Sequence, residues 1–277
     1  MKRSEILNEA LEYIRRFRGA TFVVKFGGEV LGDEEVVSSV AKDLAFLEFV
    51  GINAVVVHGG GKRISSTAEA AGIKPTFING LRVTDAKTMA IVAKVLHEIN
   101  QEIVSTILKV GCPAVGLNPP KEMVFATTKR KGEVDMGLVG DISSVKTKAI
   151  TSQFSHGVIP VITPLGVGKD GEIHNINADT AASALAKGLN AEKFILITTV
   201  DGVLDQNKKK IDKLTVTKAK KLVKSSSVSG GMVPKLNACI EALEDGVASA
   251  HIVKASKHAL LEEILTREGT GTMITRQ

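Results

Sequence analysis

The stretch FVVKFGGEVL, residues 22–31, sets the architecture of this chain. Phe22, Val23, Val24 and Phe26 surround Lys25, so the segment reads as a strand with both faces apolar. It stops at Gly27 and Gly28, and the chain then turns polar. A two-sided apolar strand belongs in a parallel sheet covered by helices on both faces. A lysine and two glycines at its end can serve an anion, although the chain contains no GxxxxGK(S/T).

Working outward, the same kind of run recurs at 53–58, 112–117, 158–163, 193–198 and 248–253. Helical spacing of apolar residues fills 34–50, 62–71, 85–110, 145–154, 178–188 and 231–245. This alternation predicts an α/β fold with a mainly parallel sheet between helix layers. Residues 73–83, 121–142 and 200–214 break the rhythm and read as hairpins. A helix over 4–17 carries Ile6, Ala10, Leu11, Ile14 and Phe17 at helical spacing and stops at Gly19. It has no evident place in the sandwich.

The composition is that of an ordinary globular protein: 277 residues, 44% apolar and 24% charged. Cys112 and Cys239 lack CxxC spacing, which argues against a disulfide frame or zinc site. No apolar run reaches the roughly 18 residues of a membrane span. MKRSEILNEALEYIRRFRG is too charged for a secretory signal. A cytoplasmic location is expected, with no membrane partner. The formal charge is +6, with lysines grouped at 129–131, 207–213 and 218–221. These read as solvated faces and a hairpin tip, or as a surface for an anionic partner. Nucleic acid is not expected, since aromatics make up 4% of the chain and no binding motif occurs.

Three glycine clusters follow strand ends or open helices: Gly27-Gly28, Gly59-Gly60-Gly61 and Gly230-Gly231. Such turns bring backbone N–H groups and a helix dipole to an anion, and three together point to a phosphate-rich ligand. One alone would be a tight turn. The GxGxxG at 166–171 runs into the strand-like EIHNI rather than a helix, so it reads as a turn only. Lys25 and Lys235 stand beside these loops. In HNINADTAASALA, residues 174–186, Asn175 and Asn177 alternate at a strand end. Asn177 suits an N-cap and Asp179 the first helical turn. Capping accounts for Asn177 and Asp179 but not for Asn175.

Taken in order, VVKFGG (23–28), VVVHGGGKRI (55–64), INGLRVTD (78–85), DMGLVGDI (135–142), IHNINADTAA (173–182), VDGVLD (200–205) and SGGMVPKLNAC (229–239) resemble the amino-acid kinase family and, within it, its acetylglutamate kinase branch. The resemblance runs from about residue 20 to the end. It implies a three-layer αβα sandwich with an open, mainly parallel eight-stranded sheet. An oligomerisation helix would span 1–18, an N-lobe holding N-acetyl-L-glutamate and dimer contacts 19–172, and a C-lobe holding ATP 173–277.

The implied reaction is ATP-dependent phosphorylation of N-acetyl-L-glutamate, the second step of arginine biosynthesis. Lys25 and Lys235 would flank the transferred phosphoryl group and Asp179 would hold both lysines. Gly60, Gly61, Arg82, Asn175 and Asn177 would bind the acyl amino acid, with Arg82 on its α-carboxylate. ATP would meet Lys25, Gly27, Gly28, Gly59, Thr198, Val200, Asp201, Gly202, Gly230, Gly231, Met232 and Lys235. Adenine and ribose would lie against 198–203 and 229–232. Its Mg2+ would be held by phosphates and water, with no protein ligand.

The N-terminal helix is similar to the extension of arginine-inhibited members, where it links dimers into a hexamer, a trimer of dimers. KHALLEEILTREGTGTMI, 257–274, resembles their inhibitor segment, with Lys193, Glu268 and Gly271 as the implied L-arginine contacts. A plain docking helix is the alternative. Nothing in the sequence supports binding of a nitrogen-signalling protein. The chain departs from many relatives at Thr199, where they carry Asp, and at Glu29, expected to face solvent. Three competing readings remain. A non-catalytic domain of the acetylglutamate synthase kind would need an acetyltransferase domain, for which 277 residues leave no room. A kinase for a carrier-bound glutamate or aminoadipate fits less well with INGLRVTD. An arginine-sensing scaffold would not need the lysines and Asp179.

Overall fold

A computed structural model describes the chain except residues 1, 2, 29, 226, 227, 229, 267 and 268. In chain order, α1 (Arg3–Phe17) leads into β1 (Thr21–Phe26), α2 (Glu34–Phe49), β2 (Asn53–His58) and α3 (Gly61–Ala70). The short hairpin β3 (Phe77–Ile78) and β4 (Leu81–Arg82) comes next, then α4 (Ala86–Lys109) and β5 (Ala114–Leu117). The middle holds β6 (Phe125–Lys129), β7 (Gly140–Val145), α5 (Lys148–Phe154), β8 (Ile159–Ile162), β9 (Leu165–Val167) and β10 (Ile173–Asn175). The last part contains α6 (Ala178–Gly188), β11 (Lys193–Thr198), β12 (Lys213–Thr215) and α7 (Val216–Lys224). It ends with α8 (Met232–Glu244), β13 (Ser249–Lys254), α9 (Ala259–Leu265) and β14 (Thr272–Thr275).

Eight strands form the main sheet in the order β12-β14-β13-β11-β1-β2-β8-β5. The pairs are parallel except β13 with β14. Side chains of β1 alternate between the two faces, because successive strand residues point to opposite sides. Phe22, Val24 and Phe26 join a core with Leu44 of α2, Leu96 of α4 and Leu260 of α9. Val23 joins the opposite core with Leu185 of α6 and Leu236 of α8. The three-layer αβα sandwich follows directly from this two-sided burial. A smaller sheet, β10-β9-β6-β7, lies beside it.

Local chemistry places the helix starts. Asp33, Asp85 and Asn177 each accept hydrogen bonds from backbone N–H groups of the first turn of α2, α4 and α6. Those groups lack intrahelical partners, so each cap stabilises its helix by about 1 kcal/mol.

Two expectations change. The helix over 4–17 does have a place: its last residue, Phe17, is buried, and its ring meets Phe22 of β1 edge-on at 5.4 Å. Leu11, by contrast, is 50% exposed. Residues 200–214 form a short antiparallel turn, with Leu204 bridged to Lys210 and Ile211 N–H donating to Val203 O, but the chain then enters the main sheet as β12. The lysines at 218–221 lie on α7, which buries Val216 and Ala219. Glu29 lies outside the described residues. Among the described residues, no helix is long and apolar enough to cross a membrane.

Candidate active site

Lys25 shares a face of β1 with Val23, and α6 packs over that face. Asp179, in the first turn of α6, therefore meets Lys25 directly, and its position suits the helix dipole. Asp179 Oδ1 is 2.6 Å from Lys25 Nζ, while Oδ2 accepts from Lys235 Nζ at 3.2 Å. Lys235 arrives on α8, which packs along α6.

One carboxylate thus separates two ammonium groups in a buried site. Burial opposes ionisation of Asp179, but the two lysines outweigh it and hold its carboxyl below the usual range. Lys25 is pushed down, mainly by burial and also by Lys235, with Asp179 acting in the other direction. The group carries a net positive charge suited to polyphosphate.

Two clefts meet at this group. The first, about 190 Å3, is lined by Lys25, Gly28, Gly60, Arg82, Asn175 and Asp179. Gly59, Gly61 and Asn177 line it too. The second, about 430 Å3, is lined by Lys25, Gly28, Thr198, Val200, Gly231 and Lys235, with Gly27, Thr199 and Met232. Lys25 and Gly28 belong to both.

The glycine turns differ in what they offer. Gly27 N–H donates to Ile197 O at 3.0 Å and Gly59 N–H to Phe26 O at 2.9 Å, extending the sheet by a rung. These two expected phosphate donors are already used. Among the described residues, the N–H groups of Gly28, Gly60 and Gly61 have no such partner. Gly60 caps α3 and Gly231 caps α8; a glycine cap has no side chain to compete for the first-turn N–H groups, which a helix start can offer to an anion. A Cβ on Gly28 would lie 3.1 Å from Gly61 N and 3.2 Å from Gly60 N.

Arg82 Nη2 donates to Gly61 O at 2.9 Å and to Ser65 Oγ at 2.8 Å, and the guanidinium lies over Phe77 at 4.7 Å. Among the described residues its Nη1 is buried without a hydrogen-bond partner, and Arg82 lines the first cleft. Asn175 Nδ2 donates to Thr84 Oγ1 at 3.1 Å. Asn177 Oδ1 accepts from Asp179 N and Thr180 N, so its amide NH2 is the part available to a ligand.

Of the residues expected at ATP, Asp201, Gly202 and Gly230 line neither cleft. Asp201 pairs with Lys254 at 2.7 Å on the surface. Gly202, with φ 134°, packs against Thr272. Gly59 lines the first cleft rather than the second. Residue 229 and Glu268 lie outside the described residues.

Around Lys193 a second polar group forms. Burial pushes Lys193 down to about 8, and its Nζ lies 3.2 Å from His251 Nε2 and 5.0 Å from the centre of the Phe17 ring. His251 Nδ1 is 2.6 Å from Glu263 Oε1, and Gly271 N donates to Glu263 Oε2 at 2.8 Å. Sequence reading missed Glu263 and His251. The apolar spacing of LLEEIL gave no reason to bury one of its two glutamates.

The profile of the amino acid kinase family matches residues 20–254. The acetylglutamate kinase of Petrotoga mobilis is 44% identical over 282 residues, which cover 100% of this chain and 94% of that one. That of Caldanaerobacter subterraneus is 45% identical, with 99% and 94% covered. Among solved structures, the N-acetylglutamate synthase of Neisseria gonorrhoeae complexed with coenzyme A and N-acetyl-glutamate is similar with a TM-score of 0.91 at 26% identity. In its complex with coenzyme A and L-arginine the TM-score is 0.88, again at 26% identity. All of this chain is covered in both, but only 64% and 66% of the synthase chain. On the profile match and the full-length identity, the chain belongs to the amino acid kinase family.

Proposed function

We infer that this chain is an acetylglutamate kinase. It transfers the γ-phosphoryl group of ATP to the side-chain carboxylate of N-acetyl-L-glutamate, giving N-acetyl-L-glutamyl 5-phosphate and ADP in arginine biosynthesis. The observation that carries the reading is the junction of the two clefts at Lys25, Asp179 and Lys235, in a chain related over its full length to named acetylglutamate kinases.

The chemistry explains the residue types. A carboxyl with a pKa of about 4.3 is already ionised at neutral pH, so no general base is needed. A carboxylate oxygen attacks the γ-phosphorus, the bond to the bridging oxygen breaks, and that electron pair leaves with ADP. The barrier is the approach of two anions and the charge spread over the phosphoryl oxygens. Lys25 and Lys235 offset that charge from either side, and Asp179 holds them apart in register. Gly28, Gly60 and Gly61 offer N–H groups at the point of transfer. Arg82 clamps the α-carboxylate through its unpartnered Nη1, and Asn175 and Asn177 bind the acetamido group.

The larger second cleft takes ATP, with the helix start at Gly231 toward the phosphates. Among the described residues, no cluster of acidic, His or Cys side chains suits a metal. Asp179 has both oxygens on lysines, so Mg2+ would be held by phosphates and water and would supply charge neutralisation. The buried free thiols Cys112 and Cys239 suit a reducing cytoplasm.

Arginine control is part of the proposal. Lys193 would meet the inhibitor's carboxylate and Glu268 its guanidinium, with Gly271, whose N–H is held by Glu263, beside them. Phe17 connects this region to α1, which would link dimers into a hexamer.

A hydroxylamine-trapping assay with ATP and Mg2+ tests both parts. N-acetyl-L-glutamate is compared with glutamate, aspartate and N-acetylaminoadipate, each with and without arginine. Hydroxamate from N-acetyl-L-glutamate alone, suppressed by arginine, is the expected outcome. Turnover unaffected by arginine would remove the regulatory part, and no turnover with any free acid would remove the kinase reading.

A further inference from the structure

We propose that His58 is a positioning residue that sets the orientation of the Gly59–Gly60 peptide, so that the Gly60 N–H faces the point of phosphoryl transfer. The inference rests on the kinase reading above and adds a residue to it.

His58 ends β2 and is fully buried directly behind the glycine turn. Its neighbours determine its proton. Asn100 Nδ2 donates to Val161 O at 2.9 Å, and Asn118 Nδ2 reaches Asn100 Oδ1 at 3.1 Å. These contacts fix which end of the Asn100 amide is nitrogen. That nitrogen lies 3.3 Å from His58 Nε2, and an amide nitrogen can only donate, so Nε2 accepts. The proton of the neutral ring is then on Nδ1, 3.3 Å from Gly59 O. Burial pushes the imidazole down to about 4, which keeps it neutral at physiological pH.

A trans peptide points its C=O and N–H in opposite directions. Holding Gly59 O toward the ring therefore turns the Gly60 N–H away from it. That side is where Gly28 lies, with Gly60 N 3.2 Å from the place a Gly28 Cβ would take. Glycines on both sides of this peptide leave it easy to rotate, so an outside hold is needed. The hold is itself braced. Asn118 also receives the Thr163 hydroxyl, and Pro164, next in the chain, lines the first cleft. A Cβ on Gly116 would collide with Asn100 Oδ1, so that strand leaves room for the relay.

Two isosteric half-replacements separate positioning from simple burial. His58→Asn keeps an amide donor at the Nδ1 place and abandons Asn100. His58→Gln reaches the Nε2 place, satisfies Asn100 and abandons Gly59 O. Steady-state kinetics of the whole enzyme should show kcat for the Gln variant lower by roughly tenfold or more, with KM for both substrates changed much less. The Asn variant should recover a large part of that loss. If Gln works as well as Asn, or better, the histidine merely fills the core and the proposal is overturned.

The amide resonance of Gly60, read by glycine-selective 15N labelling without substrates, gives a second readout. It should stay near its wild-type position in the Asn variant and move in the Gln variant. The reverse order, or no movement in either, would overturn the proposal even if the wild-type chain phosphorylates none of the acids. Wild-type turnover, measured alongside, separates failure of the kinase reading from failure of this one.

Discussion

Lys25 Nζ lies 2.6 Å from Asp179 Oδ1 where the two clefts share a wall, so the ion pair stands at the boundary between them. Its position predicts a large effect on turnover. Lys25→Ala should lower kcat by about 10²–10³ while ATP still binds. Near-normal turnover in the folded variant would remove the lysine from the chemistry.

Asp179→Asn should act on stability as well as rate. Asp179 is 6% exposed, and removing its charge leaves two ammonium groups facing each other. Breaking such a buried group costs about 3–5 kcal/mol. The carboxyl is held below its unfolded value, so its contribution is present above about pH 4 and lost as pH falls through the folded pKa. Urea unfolding should therefore show a wide gap between wild type and variant at neutral pH and a narrower one in acid. A gap that does not change with pH would contradict this.

Gly28→Ala tests the space at the junction. The new methyl group would stand 3.1–3.3 Å from the backbone of Gly60 and Gly61, where the transferred group needs their N–H donors. Turnover should fall by about 10², with stability changed by no more than about 1 kcal/mol. Unaltered kinetics would place the phosphoryl path elsewhere.

Arginine inhibition should depend on pH through Lys193. This ammonium is cationic below about 8 and neutral above it, because burial depresses its pKa. The arginine concentration giving half inhibition should rise between pH 7 and 9. Lys193→Met should be poorly inhibited throughout that range. Inhibition of equal strength at both pH values would move the arginine carboxylate away from Lys193.

Removing residues 1–16 tests the helix while sparing Phe17, whose ring packs on Phe22. The truncated chain should sediment as a dimer and lose sensitivity to arginine, with kcat retained. A truncated chain that stays hexameric and equally sensitive would show that α1 has neither role.

The two levels of information divide by range. Local pattern was enough for the layered α/β class, because strands buried on both faces carry apolar residues at consecutive positions, as Phe22–Val24 and Ala54–Val57 do. It also determined the start of α6 at Asn177, whose side chain bonds only to N–H groups within the next turn. Within the site, the lysines and glycines were legible by their place at strand ends and by family resemblance.

Tertiary structure decided the rest. β12 and β14 are three and four residues long: β14 forms on the edge that β13 offers and β12 on the edge of β14, which no local pattern records. The use of Gly27 and Gly59 N–H groups to extend the sheet depends on which strands lie beside them. Glu263 and His251 looked like ordinary polar residues until packing buried them beside Lys193. Local propensity acts over a few residues, whereas strand order, burial of a charge and the meeting of Lys25, Asp179 and Lys235 depend on segments distant in the chain. Those contacts form only when the sheet assembles and both its faces are covered.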